Sequence, residues 1–345
     1  MPRSILSAYL RNRRAFAARP RSRGLGAGMA LGLAIALASG GAESQGAAEL
    51  HRDHPLVGVI WSTGDREAVG RAEALDRLAG ADLVILGETH DNPDHHRLQA
   101  EFIEELVERG RRPSVVFEMI PEDMQPDIDG YLAAEPEDGA GLGPAVTWEA
   151  RGWPDWSIYQ PIADVAIENG LAIIAGGLSD TVQRSLMQDG VEGLDAGERD
   201  RLGLDHALAP AAADSLDEVL YDAHCELIPR ESLPAMRQFQ RARDGAMASA
   251  IEGAAEAGTV MLIAGAGHAR RDWGVPAQLA ARGAGLDIAS LAFVEVSGEE
   301  TDPGAYLPAP AGDSPVFDSL VFTARAERED PCAALEERFG DRAGE

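Results

Sequence analysis

Short apolar runs alternate along the chain with longer segments in which apolar residues recur at helical spacing. The runs are typical of buried strands, and the recurrent spacing is typical of helices that pack one face on a sheet. Strands are predicted at residues 57–61, 83–88, 115–117, 172–175, 260–263, 289–296 and 319–323, and helices near residues 66–79, 94–109, 157–169 and 234–257. Because strands alternate with helices, the pattern predicts an α/β fold with a mainly parallel, doubly wound sheet flanked by helices.

One long interval breaks this alternation. Residues 179–257 show helical patterning without a convincing strand, which indicates a smaller inserted helical subdomain at about residues 183–233. The α/β domain is expected to occupy residues 55–335. Residues 39–54 are rich in glycine, alanine, serine and glutamate and are interpreted as a linker, and residues 336–345 as a charged C-terminal tail.

The first 38 residues have the form of an export signal. A region rich in arginine precedes an apolar stretch from Leu25 to Ala38, which is too short to span a membrane comfortably, and Ala36-Leu-Ala38 matches an A-x-A cleavage site. The Arg13-Arg14 pair also resembles a twin-arginine signal, so Sec and Tat export both stay open. No cysteine lies near the cleavage site, so a lipobox is not seen. We expect an exported, periplasmic protein that does not span the membrane after signal removal.

Composition narrows the classes of function. The 45% hydrophobic content suffices for a large core, and the formal net charge of −28 argues against nucleic-acid binding, because a phosphate backbone would be repelled. The sequence contains no lysine, which rules out Schiff-base and P-loop lysine chemistry.

Polar groups follow three of the predicted strands. Glu88 and His90 lie in Gly-Glu-Thr-His, Glu118 ends the next strand, and His268 ends Gly-Ala-Gly-His. The carboxyl ends of parallel strands share one edge, so these four side chains are expected to converge there. Two Glu and two His suit a divalent transition metal and equally suit general acid–base catalysis. A lone histidine after a strand is usually a hydrogen-bonding residue, but the repeated Gly-x-x-His unit favours a site.

Other candidates carry weaker signals. His95 and His96 fall in the first turn of a predicted helix, where a positive charge opposes the helix dipole. Both are therefore expected to be solvated, and the less favoured alternative is that they face the site. The tryptophans Trp148, Trp153 and Trp156 are more typical of a small satellite core than of a ligand pocket.

Charged residues near the strand predicted at residues 260–263, and in the helix before it, are candidates for an anion-binding clamp. Arg271 and Asp272 follow His268 closely, and Arg243 is expected near the start of a helix. The arginine of either segment could clamp a carboxylate bidentately, and each segment is equally typical of a solvated charge cluster.

Cys225 and Cys332 are the two cysteines of the chain. An oxidising compartment permits a disulfide between them, which would stabilise the fold by roughly 4–5 kcal/mol in the chain-entropy model. The alternative is two unpaired thiols.

An ordered series of segments resembles the ChaN-like haem-binding uptake proteins of the Tiki superfamily. The matching residues are 86–96, 115–119, 156–159, 224–225, 240–248, 264–276 and 330–332. The resemblance implies an exported protein that serves haem or iron-uptake machinery, and it favours the Cys225–Cys332 disulfide. This sequence departs from the family's pattern in having no lipobox cysteine and no lysine. Any role of lysine in holding haem propionates must therefore fall to arginine or be absent.

The resemblance also implies two chemistries for the site. Haem takes His or Tyr as an axial ligand, and Tyr159, His90 and His268 are the candidates. In the wider superfamily the matching positions Glu88, His90, Glu118 and His268 form a metal-dependent protease or esterase-type site.

Three hypotheses follow from these observations. The first is a haem-binding, iron-uptake-associated protein with haem as its cofactor. The second is a metal-dependent hydrolase that uses the strand-end Glu and His residues. The third is a catalytically inert partner-binding domain, and the sequence leaves a homodimer open.

Overall fold

The computed structural model describes residues 49–330, 332, 333, 335 and 336. The predicted signal peptide at residues 1–38 lies outside the described residues, as do residues 39–48 of the predicted linker and residues 337–345 of the predicted tail. Within the described part of the chain, no helix is both long enough and apolar enough to cross a membrane.

Ten strands and ten α-helices have both of their ends within residues 49–330. The strands are β1 (Glu49–Leu50), β2 (Ile60–Ser62), β3 (Glu67–Val69), β4 (Leu83–Glu88), β5 (Ser114–Pro121), β6 (Ile173–Gly177), β7 (Val260–Gly265), β8 (Ile288–Glu295), β9 (Ser319–Thr323) and β10 (Arg325–Ala326). The helices are α1 (Arg71–Gly80), α2 (Pro93–Glu108), α3 (Gln125–Leu132), α4 (Leu142–Ala145), α5 (Trp156–Glu168), α6 (Asp180–Asp189), α7 (Ala196–Arg201), α8 (Pro210–Ala223), α9 (Leu233–Ala255) and α10 (Val275–Ala281). Short 3-10 helices cover Glu122–Met124, Trp148–Arg151, Gly190–Gly193, Arg230–Ser232 and Pro303–Tyr306.

The main sheet has eight strands in the order β3-β2-β9-β8-β4-β7-β5-β6. The run from β9 to β6 is parallel throughout, which confirms the predicted mainly parallel α/β sheet. A separate two-stranded antiparallel ribbon joins β1 to β10.

One edge of the sheet departs from the prediction. The strand predicted at 57–61 begins only at Ile60, and it pairs antiparallel with both β3 and β9. Arg66 adopts a left-handed conformation (φ 57°), and its amide donates to the carbonyl of Ser62. The chain therefore turns back on itself, and residues 67–69 form a strand where the helix was expected to begin.

The central strands are buried on both faces, as a parallel sheet requires. In β4 the residues from Leu83 to Leu86 are completely buried. Helix α2 packs Phe102, Ile103 and Leu106 into the core on one face, and each such side chain contributes about 1.5–3 kcal/mol of burial free energy. The helix begins where Asn92 accepts a hydrogen bond from the amide of Asp94, so it starts directly beneath the loop that follows β4.

The interval between β6 and β7 is helical, from α6 through α9. Two small apolar clusters lie here, one around Leu202 and Leu204 and the other around Leu216 and Leu220, to which Trp273 contributes from the segment after β7. A smaller helical unit is therefore inserted into the α/β fold. A disulfide joins Cys225, just after α8, to Cys332, with their Cα atoms 5.7 Å apart.

Candidate functional site

The four predicted site residues lie together at the carboxyl edge of the parallel sheet. Strands β4, β7 and β5 are neighbours, with Glu88 paired in register with Gly265. Glu88 ends β4, Glu118 lies within β5, and His268 follows the end of β7. Together with His90, all are buried. The convergence expected from topology is therefore present.

Gly87 allows this close approach. A Cβ atom at Gly87 would lie 2.9 Å from the Cα of Ala266 and 2.9 Å from the Cβ of Ala269. A larger residue would force the loop after β4 away from the segment that carries His268. The glycine of this Gly-x-x-His unit thus has a packing role.

Glu88 and His90 form the first carboxylate–imidazole pair. Nδ1 of His90 lies 2.8 Å from Oε1 of Glu88. The hydroxyl of Tyr159 donates to the same oxygen at 2.7 Å and lies 3.1 Å from Nδ1 of His90. Because Glu88 takes the Nδ1 side, Nε2 is the nitrogen that faces Glu118, with 3.9 Å between Nε2 and Oε2.

His96 supports this pair from behind and corrects one expectation, because it is buried rather than solvated. Its Nδ1 lies 2.9 Å from Oε2 of Glu88 and 3.1 Å from Oε1 of Gln99, and its Nε2 lies 3.1 Å from the carbonyl oxygen of His90. Burial alone would lower the pKa of His96, but the charge of Glu88 outweighs burial, so the pKa is raised above its ordinary value. A buried anion thus overrides the helix dipole that argued for a solvated histidine.

Glu88 in turn is held in its charged form. Burial alone would raise its pKa, but the charges of His96 and His90 and the hydrogen bonds from them lower the pKa below its ordinary value. The loop therefore carries a buried carboxylate between two imidazoles.

His95 is also buried, which corrects the same expectation. The amide of Thr89 donates to its Nδ1 at 2.9 Å, so Nε2 carries the proton and donates to the hydroxyl of Thr323 at 2.8 Å. Burial lowers the pKa of His95 to about 4. This histidine is a neutral bridge between the loop and β9.

Asp244 and His268 form the second carboxylate–imidazole pair. Nδ1 of His268 is hydrogen-bonded to Oδ1 of Asp244, and its Nε2 lies 3.4 Å from Oε1 of Glu118. The side-chain amide of Gln240 lies 3.2 Å from Nε2. Burial opposes a charge on the ring, but Glu118 and Asp244 outweigh it and raise the pKa of His268.

Glu118 is the group that both pairs share. It accepts a hydrogen bond from the amide of Gly265 at 2.7 Å and one from the guanidinium of Arg243. Burial alone would raise the pKa of Glu118. The charges of His268, Arg243 and His90 outweigh burial and hold this pKa well below its ordinary value. The site is a buried network in which two imidazoles face one carboxylate and Arg243 supplies positive charge.

The structure separates the three clamp candidates. Arg243 lies in the site on Glu118. Arg271 forms a partly exposed ion pair with Asp318, and Asp272 pairs with Arg270. Arg243 also lies in the middle of α9, not near the start of a helix, because the helix begins ten residues earlier at Leu233.

The tryptophans divide between core and site. Trp148 and Trp156 are buried in the main core. The half-buried ring of Trp153 lies 4.9 Å from the ring of His90, and its Nε1 donates to the carbonyl of Met119 at 3.0 Å. Trp153 therefore covers the outer side of the first pair.

Sequence reasoning did not assign Asp244 or Gln240 to the site, and it favoured a solvated position for His96 over a position in the site. Gln240, Arg243 and Asp244 stand at positions i, i+3 and i+4, which place them on one face of a helix. That spacing, within the helix predicted near residues 234–257, was the available signal.

No group of three or more His, Cys, Asp or Glu residues among those that the structure describes is arranged to hold a metal ion. The acidic side chains of the site are instead paired with imidazoles and with Arg243. What the arrangement offers directly is a set of coupled acids and bases.

Comparison with known proteins defines the class to which this fold and site belong. A family model described as haem-binding uptake, Tiki superfamily, ChaN matches residues 74–279. That match covers more than half of the chain and includes every residue of the network above. The chain belongs to this family.

A solved structure described as cofacial heme binding to ChaN of Campylobacter jejuni has the same fold. It has a TM-score of 0.59 and 18% sequence identity, and the similarity covers 78% of this chain and 97% of that chain. A mutant erythromycin esterase aligns with a TM-score of 0.39 and 16% identity over 68% of this chain and 76% of that one, which is too weak to carry an argument.

One curated relative is similar in sequence. The chloroplastic protein RETICULATA-RELATED 5 of Arabidopsis thaliana is 30% identical over 145 residues, which are 39% of this chain and 19% of that protein. The chain spans about a fifth of the length of that relative.

Proposed function

We propose that this protein binds haem and delivers it or its iron to an uptake system outside the cytoplasm. The observation that carries the proposal is membership of the haem-binding uptake family across residues 74–279. Export is supported by the arginine-rich and apolar segments of residues 1–38.

The three candidate haem ligands fit unequally. Tyr159 is completely buried, and burial together with the Glu88 charge raises its pKa well above the ordinary value, so the phenolate that iron prefers is disfavoured. His268 is completely buried between Asp244 and Glu118. Neither side chain fits an axial position in this conformation.

His90 fits best. All three side chains are buried, but His90 is the least so, with 4% of its surface exposed, and it lies beside the half-buried Trp153. A carboxylate on Nδ1 fixes the tautomer and raises the basicity of a ligating imidazole, and Glu88 supplies that carboxylate. Haem would supply the iron that this imidazole binds.

Titration of the purified mature protein with hemin tests the proposal. We expect a saturable shift of the Soret band at micromolar protein, and about tenfold weaker binding in His90→Ala. The matched control is His206→Ala, which removes an exposed imidazole far from the network in sequence and should leave the affinity unchanged. An unsaturable response in the wild type, or equal losses in the two variants, would refute the proposal.

A second candidate function is hydrolysis, and one observation favours it: two carboxylate-held imidazoles both direct Nε2 toward Glu118. Such pairs can move protons in general acid–base catalysis. A divalent metal there would compete with Arg243 for Glu118. Metal analysis after purification without chelators, with assays on ester and peptide substrates, tests this candidate. Metal-free protein that cleaves no substrate and gains no stability from Zn, Mn or Co would end it.

A further inference from the structure

A segment after β9 lies across the loop that carries His90. We call residues 324–330 the C-terminal strap. The carbonyl of Ala324 accepts a hydrogen bond from the side-chain amide of Asn92 at 3.1 Å, and the amide of Ala326 donates to Oε1 of Glu295 at 3.1 Å. Asn92 also donates to Glu295, at 2.8 Å. The strap and the end of β8 thus hold the loop together.

Arg328 is the strongest attachment of the strap. Its Nε and Nη2 donate to the two carboxylate oxygens of Asp91 at 2.8 and 2.7 Å. Its Nη1 and Nη2 donate to the carboxylate of Glu295 at 2.7 and 2.6 Å. Bidentate guanidinium–carboxylate contacts fix geometry as well as charge. Because Asp91 directly follows His90 in the chain, these contacts fix the loop beside the proposed haem ligand.

The disulfide anchors the far end of the strap. Cys332 lies shortly beyond Arg328 and is bonded to Cys225 of the helical insertion. Both cysteines are half-buried, so a small reductant can approach them. At its other end the strap is held by β10, which pairs with β1 over only two residue pairs. Without the disulfide, Arg328 would be the main restraint on the part of the strap beyond β10.

We propose that the Cys225–Cys332 disulfide holds Arg328 on Asp91 and Glu295 and thereby orders the His90 loop, so that reduction of the disulfide loosens the site. Local opening is governed by how many contacts a segment must break, and removal of one covalent anchor lowers that number for the strap. The effect of this coupling on haem affinity rests on the proposed function, whereas its effect on loop order does not.

The redox step is ordinary thiol–disulfide exchange with a dithiol such as dithiothreitol. One thiolate of the dithiol attacks a cysteine sulfur, which breaks the Cys225–Cys332 bond and forms a mixed disulfide. The second thiolate of the dithiol then attacks the mixed disulfide and frees the cysteine. Two cysteine thiols form, and the dithiol is oxidised to its cyclic disulfide.

Hydrogen exchange on the intact mature protein tests the coupling. We compare the oxidised protein, the protein reduced with dithiothreitol, and Cys332→Ser. We expect the amides of residues 89–92, 94 and 95 to exchange about tenfold faster in the last two states. Amides of β7, in the centre of the sheet, serve as the control for global unfolding and should not change.

Arg328→Gln provides the second test. If the disulfide acts through Arg328, this variant should show fast exchange in the oxidised state and no further change on reduction. The matched control is Arg97→Gln, because Arg97 also pairs with two acids, Asp94 and Glu101, but lies on an exposed face of α2. It should keep the wild-type response to reduction.

Two results would overturn the proposal: exchange of residues 89–95 that is indifferent to reduction, or a full response to reduction in Arg328→Gln. Hemin titration of the oxidised and reduced protein adds a separate measurement, with an affinity loss of about tenfold expected on reduction. If the wild type binds no hemin, the proposed function fails and the exchange results alone decide the coupling.

Discussion

The two carboxylate–imidazole pairs of the site have the same chemistry and opposite structural origins. Glu88 ends β4 and His90 lies two positions later in the loop that follows, so the local chain brings them together. Asp244 comes from the middle of α9 and His268 from the segment after β7, so this pair exists only when the helix packs against the sheet. The first pair is a property of the loop, whereas the second is a property of the assembled fold.

The pairs also differ in how well their carboxylates are supported. Oε1 of Glu88 accepts from Tyr159 and His90, and Oε2 lies in an ion pair with His96. Oε2 of Glu88 and Oδ2 of Asp244 both lack a hydrogen-bond partner among the described residues, but only the Glu88 oxygen lies in such a second ion pair. Burial raises the pKa of Asp244, whereas the pKa of Glu88 is lowered. The carboxylate of Glu88 is therefore held more strongly in its charged form than that of Asp244.

Replacement of Glu88 should have the largest effect on stability. Glu88→Ala leaves the imidazoles of His90 and His96 without their shared anion, and loss of one partner from a buried ion pair costs about 3–5 kcal/mol. Urea denaturation followed by circular dichroism measures this loss. Glu88→Gln keeps an acceptor without the charge and should fall between the wild type and the alanine variant. Equal effects of Ala and Gln would show that the charge itself is unimportant.

A pH effect should come next, from His95. Its pKa is about 4 in the folded protein and about 6.5 when unfolded, so between these values the unfolded state binds more protons. Stability should therefore fall as the pH drops from 6.5 to 4, by about 3 kcal/mol from this group. In His95→Gln that part of the pH dependence should disappear, while the exposed control His206→Gln keeps it. An unchanged slope in His95→Gln would contradict the assignment.

Its neighbour His96 should act in the opposite direction and in another pH range. Because its pKa is raised in the fold, its contribution is complete below the unfolded pKa and is lost as the pH rises through the folded pKa. The two effects thus do not cancel below pH 6.5.

Replacement of Asp244 should have a smaller effect than that of Glu88. Asp244→Ala removes one acceptor of His268, but Glu118 and Gln240 stay within reach of the ring. We expect a loss of about 2 kcal/mol by urea denaturation, the cost of an unsatisfied buried donor. The exposed Asp76→Ala serves as control and should change stability by less than about 0.5 kcal/mol. A larger loss for Asp244→Ala than for Glu88→Ala would reverse the comparison.

The difference between the pairs explains what could be predicted from sequence. The parallel sheet and the convergence of Glu88, His90, Glu118 and His268 follow from apolar runs and from polar residues directly after them. Asp244 could not be paired with His268 in this way, because their contact depends on how α9 lies on the sheet. A buried position for His96 was the less favoured alternative, since helix dipole arguments ignore the carboxylate at the end of the preceding strand.

Trp153 offers the smallest and most selective perturbation. Trp153→Phe keeps an aromatic ring beside His90 but removes the hydrogen bond from Nε1 to the carbonyl of Met119, a net loss of about 1 kcal/mol. Trp148→Phe is the matched control, because it removes a hydrogen bond to the carbonyl of Pro154 in the core. We expect both to lower stability, but only Trp153→Phe to shift the imidazole NMR signals of His90, with those of His268 unchanged. Equal shifts at both histidines would mean that the two pairs respond as one unit through Glu118.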